Sequence, residues 1–372
     1  MSEDRENPTL GYITSVLAAF SVFGNLNSIL AISRVIWKSP RGRVSVPTEA
    51  QPRRPSTEGP YRRHVTLLLA LSVVNFAVAV LHITFVAIAC FQGYWLDMTS
   101  SSNEEVFLKQ ILNKGTWCNV SSYFVRAFSS LAISTVSVIG IERTVTIWYP
   151  LRATTFLSNR RVLLLLLFLW AAALGLQVQE GYMRHIVVYV VPAYQCVKSY
   201  TNPGDVQTII GTYIAFNMFN MLIIMVTSSA TVVTLVRMRK VAKSVSTKCV
   251  SQKRRKSDPS NKIFFLGVTS LIIVCINTFT WLPYNLLSIL RYVLRYNPAA
   301  SLRLRNFNLR TVVWWIQYVS PALSPLIFVF RIEAIRVEAV ELFRTAFKPV
   351  FNFQKKFHDH TCHKIDTKKG ST

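Results

Sequence analysis

The chain has 372 residues, of which 51% are hydrophobic and only 16% charged, and its mean hydropathy is +0.33. An ordinary soluble domain of this length does not carry that mixture. Its net charge of +25 would suit nucleic acid. With the N-terminus outside, however, the cytoplasmic segments hold 31 Lys/Arg against 9 Asp/Glu, and the outer segments and helix ends 11 against 8. That is the positive-inside bias of a membrane protein; anionic lipid supplies the counter-charge and no nucleic-acid partner is needed.

Residues 1–10 read as a short, acidic extracellular N-terminus with no cleavable signal ahead of the first span. Seven apolar blocks follow, near Leu10–Trp37, Val65–Cys90, Tyr123–Val145, Val162–Tyr182, Thr208–Val236, Ile263–Tyr292 and Thr311–Phe330. Each is long enough to cross a bilayer. In hydrocarbon the backbone must bond to itself, so each block predicts a helix. The expected fold is an all-α membrane protein: a seven-helix bundle over 11–331, then an amphipathic helix and cytoplasmic tail over 332–372.

Between the first two blocks, residues 38–64 are rich in Pro, Arg and Ser and read as a solvated cytoplasmic linker. Residues 91–115 form a long outer loop whose second half suits a short amphipathic helix. In the third block, Cys118 and Arg143 are separated by about 37 Å of helix at roughly 1.5 Å per residue. That is one membrane thickness, which puts Cys118 at the outer end and Arg143 at the inner end. Cys196 falls in the outer loop after the fourth block, where disulfides persist, and a Cys118–Cys196 bridge would pin that loop over the bundle. Cys249 and Cys362 are expected inside and reduced, and Cys90 and Cys275 as packing residues. The six cysteines show no metal-ligand spacing, and no cofactor or enzymatic centre is expected.

The third cytoplasmic loop is strongly basic, and its Arg254–Ser257 run suits a basic-directed kinase. After the last block, Ile332, Ile335, Ala339, Leu342/Phe343 and Phe347 recur near helical spacing among Arg336, Glu338, Glu341 and Arg344. This predicts an amphipathic helix on the inner leaflet. No internal repeat of the transporter kind is present.

One motif per span then accumulates in chain order: Gly24-Asn25, Leu71-Ser72-Val73-Val74-Asn75, Glu142-Arg143-Thr144 with Pro150-Leu151 after it, Trp170, Trp281-Leu282-Pro283-Tyr284, and Ser324-Pro325-Leu326-Ile327-Phe328. Their order and spacing resemble a rhodopsin-like G protein-coupled receptor over essentially the whole chain. The resemblance implies a plasma-membrane receptor that transduces an extracellular ligand to a heterotrimeric G protein, with arrestin, a receptor kinase and membrane lipids as further partners. Glu142, Arg143, Trp281, Pro283, Ser324, Pro325 and Phe328 would form the activation machinery. Arg143, Pro150 and Leu151 would meet the G protein.

By position the ligand cavity would include His82, Val125, Arg126, Ser129, Glu180, Tyr284, Asn285, Arg291, Arg310, Trp314 and Tyr318. Val125 stands where amine receptors place an Asp, and Tyr318 where opsins place the retinal Lys, so neither ligand class is expected. Arg126, inside a span, needs a partner, for which Glu180 is the candidate. Arg291, Arg295, Arg303, Arg305 and Arg310 make the third outer connection basic, which suits an acidic peptide or an anionic small molecule. The Asn119-Val120-Ser121 sequon abuts the helix end, where access is poor.

The departures from the pattern carry expectations too. Asn75, Ala132, Ser320 and Ser324 occupy the family's sodium site and include no carboxylate, so sodium should not affect ligand binding. The fifth-span Pro and Tyr are missing, the seventh-span Tyr is Phe328, and the position facing Arg143 on the sixth span is Ile263. Basal activity is then either high or coupling is weak. A decoy or scavenger receptor is the alternative function; a transporter or channel ranks third.

Overall fold

The computed structural model describes residues 8–38, 58–84, 86–87, 116–149, 152–181, 185–190, 195–200, 203–248, 259–294 and 307–345. The helix expected within 91–115, Pro150, Leu151, the Arg254–Ser257 run, Arg295, Arg303, Arg305, Cys90, Cys249, Cys362 and Phe347 lie outside the described residues.

Helices dominate. They are α1 (Pro8–Lys38), α2 (Glu58–Val78, continued by a π turn Ala79–Ile83), α3 (Thr116–Trp148), the short α4 (Ala153–Phe156), α5 (Asn159–Gly181), α6 (Pro203–Lys248), α7 (Pro259–Leu294), α8 (Phe307–Arg331) and α9 (residues 333–345). Pro8, Pro203 and Pro259 each occupy the first position of a helix, where the missing N–H has no partner to lose. Ser158 caps α5, its hydroxyl accepting from the Arg161 N–H at 3.3 Å.

Among the described residues six helices are long and apolar enough to cross a membrane: Gly11–Lys38, Tyr61–Ile83, Tyr123–Trp148, Asn159–Val178, Gly211–Lys240 and Gly267–Leu290. The seventh, α8, is 25 residues long, but Trp314, Trp315, Gln317, Tyr318 and two prolines dilute its apolar character.

α3 is the central helix, packed against α2, α5, α6 and α7; α1 closes the ring between α2 and α8. Phe20, Phe23, Phe168, Leu222, Phe279 and Phe330 are exposed around the outside, as lipid-facing side chains of a membrane bundle are. Cys275, read as a packing residue, is also exposed on α7 and free: it lies on the lipid side of its helix, where hydrocarbon does the packing.

A two-stranded antiparallel hairpin, β1 (His185–Val190) and β2 (Gln195–Tyr200), stands between α5 and α6 in the otherwise helical bundle. Its β-branched run pairs Tyr189 with Cys196, and β2 packs against α3, whose first turn carries Cys118.

α2 begins at Glu58, well ahead of the apolar block, so Arg62, Arg63 and His64 are helical rather than linker. α9 is amphipathic, but Ile332, Ile335 and Ala339 insert into the bundle core instead of facing the leaflet. Val337, Val340 and Phe343 are apolar side chains of α9 left outside, among the exposed Glu333, Arg336, Glu341 and Arg344. Lys38 at the end of α1 clamps α9 through Glu338 at 2.6 Å.

Candidate functional site

The candidate site residues fall toward two ends of the bundle, one at the hairpin and one at Arg143. A column of polar contacts on α3 runs between them. Ser130, Ser137 and Thr144 recur every second turn, on one face of the helix. Ser130 Oγ lies 3.3 Å from Asn217 Oδ1, Ser137 Oγ 3.0 Å from Asn220 Oδ1, and Thr144 Oγ1 3.1 Å from the Thr227 carbonyl. Trp148 Nε1 extends the column, donating to Thr234 Oγ1 at 2.7 Å. Small side chains permit the approach: a Cβ at Gly140 would stand 2.5 Å from Thr227 Oγ1. In hydrocarbon such interhelical bonds and small-residue contacts hold helices together without a hydrophobic driving force.

At the hairpin end, His82 and Tyr318 meet: His82 Nε2 is 2.8 Å from the Tyr318 hydroxyl, and both are buried. The π turn places His82 there. It inserts one residue into α2, and Thr84 Oγ1 donates to the Ala79 carbonyl at 2.9 Å beside it. Tyr318 also packs edge-on against Trp315, with centroids 5.6 Å apart. On the other side of α3, the Arg126 guanidinium stands 5.9 Å from the centre of the Tyr213 ring. Tyr213 is buried in the same part of α6 as Asn217, which meets Ser130. Tyr213 and Asn217 were missed in the sequence; the polar period of α3 was the signal available for them.

Val125 is half-buried, and its carbonyl accepts from Ser129 Oγ, which is buried. Asn285 is buried and donates to the Trp281 carbonyl at 3.1 Å, while the Tyr284 ring lies edge-on to Trp281. The structure therefore brings His82 to Tyr318 and groups Trp281, Tyr284 and Asn285. Arg126 pairs with an aromatic ring that was not expected. Glu180 sits at the end of α5, Arg291 in the last turn of α7, and Arg310 and Trp314 in the opening turns of α8; the structure does not describe their side chains, nor those of Cys118, Cys196 and Ile263.

The middle of the bundle explains the Gly24-Asn25 motif. Pro325 has no N–H, so the carbonyl one turn before it, at Pro321, loses its helical donor. Asn25 Nδ2 of α1 supplies one at 2.8 Å. Gly24 lets α1 come that close, because a Cβ there would stand 3.1 Å from the Pro325 ring. Nearby, Ser320 Oγ donates to Asn277 Oδ1 at 2.9 Å, tying α8 to α7. Ser324 turns back to the Ser320 carbonyl, and Phe328 is wholly buried. Asn75 and Ala132 are buried in this region.

At the opposite end, Glu142 and Arg143 are buried and ion-paired, with Arg143 Nε 2.7 Å from Glu142 Oε2. Adjacent residues on a helix do not face each other, so the two chains bend together. Thr146 Oγ1 donates to Glu142 Oε1 at 3.1 Å. Across from α3, Arg331 at the end of α8 lays its guanidinium 4.1 Å over the ring of Phe265, in the opening turns of α7. This contact bridges the same two helices as Asn277 and Ser320, but at the Arg143 end.

A buried ion pair, prolines inside two long helices and a central polar column thus occur together in one bundle. No curated protein matches the chain significantly. The family described as 7 transmembrane receptor (rhodopsin family) matches residues 62–328, from the start of the Arg62-Arg63-His64 run to Phe328. The chain belongs to the rhodopsin family of seven-transmembrane receptors.

Proposed function

We propose that the protein is a plasma-membrane receptor, N-terminus outside, that converts occupancy of the hairpin-end cavity into activation of a heterotrimeric G protein at the Arg143 end. Arrestin and a receptor kinase would act on the same face. The observation that supports it most is the burial of the Glu142–Arg143 pair on the central helix α3, with Pro283 set inside the neighbouring helix α7. A buried ion pair is expensive to maintain, and a kinked helix can swing one half while the other stays packed. Ligand binding then selects between two bundle states.

The ligand we favour is an acidic peptide or an anionic small molecule. Arg126 on the hairpin-side half of α3 and the basic connection from Arg291 to Arg310 support that reading. A G protein sensor panel in cells, run at several expression levels with Arg143→Ala as the control, tests the coupling. Activation that depends on Arg143 is expected; silence of every sensor overturns it. Charge reversal at Arg291 and Arg310 should weaken an active ligand at least about tenfold, and unchanged potency would remove the anion reading. A decoy receptor is the second reading, favoured by Phe328, which buries a ring without a hydroxyl.

A further inference from the structure

Glu142 does not serve Arg143 alone. While its Oε2 lies 2.7 Å from Arg143 Nε, its Oε1 lies 3.9 Å from the Nε of Arg63, which comes across from α2. The exposures of Glu142, Arg63 and Arg143 are 0%, 4% and 3%. Two cations therefore share one carboxylate out of contact with water. The two arginines also lie close enough to repel. Neither arginine's Nη2 has a hydrogen-bond acceptor among the described residues. His64, the next residue on α2, is fully buried within reach of Arg143's field and adds no second carboxylate.

A latch made of one Arg and one Glu resists opening, because the departing arginine leaves a buried carboxylate uncompensated. Here a second cation already waits on a different helix, at the other carboxylate oxygen. We infer that Arg63 is a relief counter-ion: when Arg143 turns toward a cytoplasmic partner, Arg63 closes on Glu142 and keeps it neutralised. Repulsion between the arginines favours the same exit. The consequence is a latch that opens readily and a raised basal population of the open state. This rests on the receptor reading above, in which Arg143 must leave Glu142 to meet its partner. Arg63 acts through Glu142 and is a positioning residue. The competing role is a fixed tie between α2 and α3.

Thermal unfolding of the full-length protein in lipid nanodiscs separates the two roles. Arg63→Ala and Arg143→Ala should each be tolerated, since one arginine remains for Glu142. Together they should lower the melting temperature by about 10 °C more than the sum of the single shifts. Adding Glu142→Gln removes the orphaned charge and should recover most of that loss. Additive single shifts, or a triple variant no more stable than the double, would overturn the inference. Should the double variant fail to fold, recovery of a folded triple variant is the supporting result, and its failure the opposing one.

In cells, at matched surface expression, Arg63→Ala should lower basal G protein activation about tenfold, and Arg63→Lys should restore much of it. Basal activation that does not fall with Arg63→Ala overturns the relief role. If melting is super-additive but no variant activates any G protein, Glu142→Gln included, the coupling reading fails while the shared carboxylate stands.

Discussion

The seam between α3 and α6 and the seam between α7 and α8 are built from opposite materials. The first is a ladder of side-chain bonds from Ser130 to Trp148, with Gly140 marking the closest approach. The second has three prolines, at 283, 321 and 325. Among the described residues it is crossed by the Asn277–Ser320 bond and the Arg331–Phe265 contact. The described bonds of the first run along its length, whereas the second combines two described contacts with three prolines. In physical terms the first is a platform and the second a joint, since proline removes backbone bonds that would otherwise resist bending.

Four experiments test that contrast. The largest effect should come from the platform: Gly140→Val drives a branched side chain into Thr227 and should cost about 3 kcal/mol in thermal unfolding. Gly175→Val is the control, because nothing lies within 4 Å of its Cβ position. Equal shifts for the two would mean that the α3–α6 approach is not close. Next, Asn25→Ala strands the Pro321 carbonyl and should cost about 2 kcal/mol; a neutral result would show that α8 finds another donor.

A smaller effect is expected at the joint. Arg331→Gln removes a contact worth about 1 kcal/mol, yet should free the Arg143 end of α7. A spin-label distance between α3 and α7 should broaden toward longer values while the melting temperature barely moves. A large fall in melting with no broadening would make Arg331 part of the platform instead. The smallest expected effect is none: with Asn75, Ala132, Ser320 and Ser324 offering no carboxylate, replacing sodium by potassium should leave melting unshifted. A sodium-dependent rise would reveal ligands outside this set.

The spans and the order of their motifs were legible because hydrocarbon enforces long apolar runs, and because each motif marks a break in such a run. Other features were hidden for identifiable reasons. Arg63 lay in a basic, proline-rich stretch read as linker, since charge outweighs periodicity there, whereas α2 extends back to Glu58 and buries it. The hairpin was masked because His185–Val190 is a short apolar run whose character depends on its partner strand. The α3 column was visible in principle, as Ser130, Ser137 and Thr144 fall on one helical face. Its partners Asn217, Asn220 and Thr227 acquire meaning only once α6 is known to lie alongside. For α9 the amphipathic spacing was readable, but spacing alone does not say which partner the apolar stripe meets, and here it is the bundle core.

The π turn at Ala79–Ile83 bears on how such a receptor can diversify. A π turn takes up one residue more than the α turn it replaces, so deleting one residue here would restore the ordinary winding and leave the helix beyond it close to its present rotation. The side chains within the turn, His82 among them, would be re-aimed relative to Tyr318, while Asn75 and Arg63, earlier in the helix, would keep their places. A single codon lost or gained at this point is thus a route to a new pocket lining that leaves the opposite end of the helix untouched.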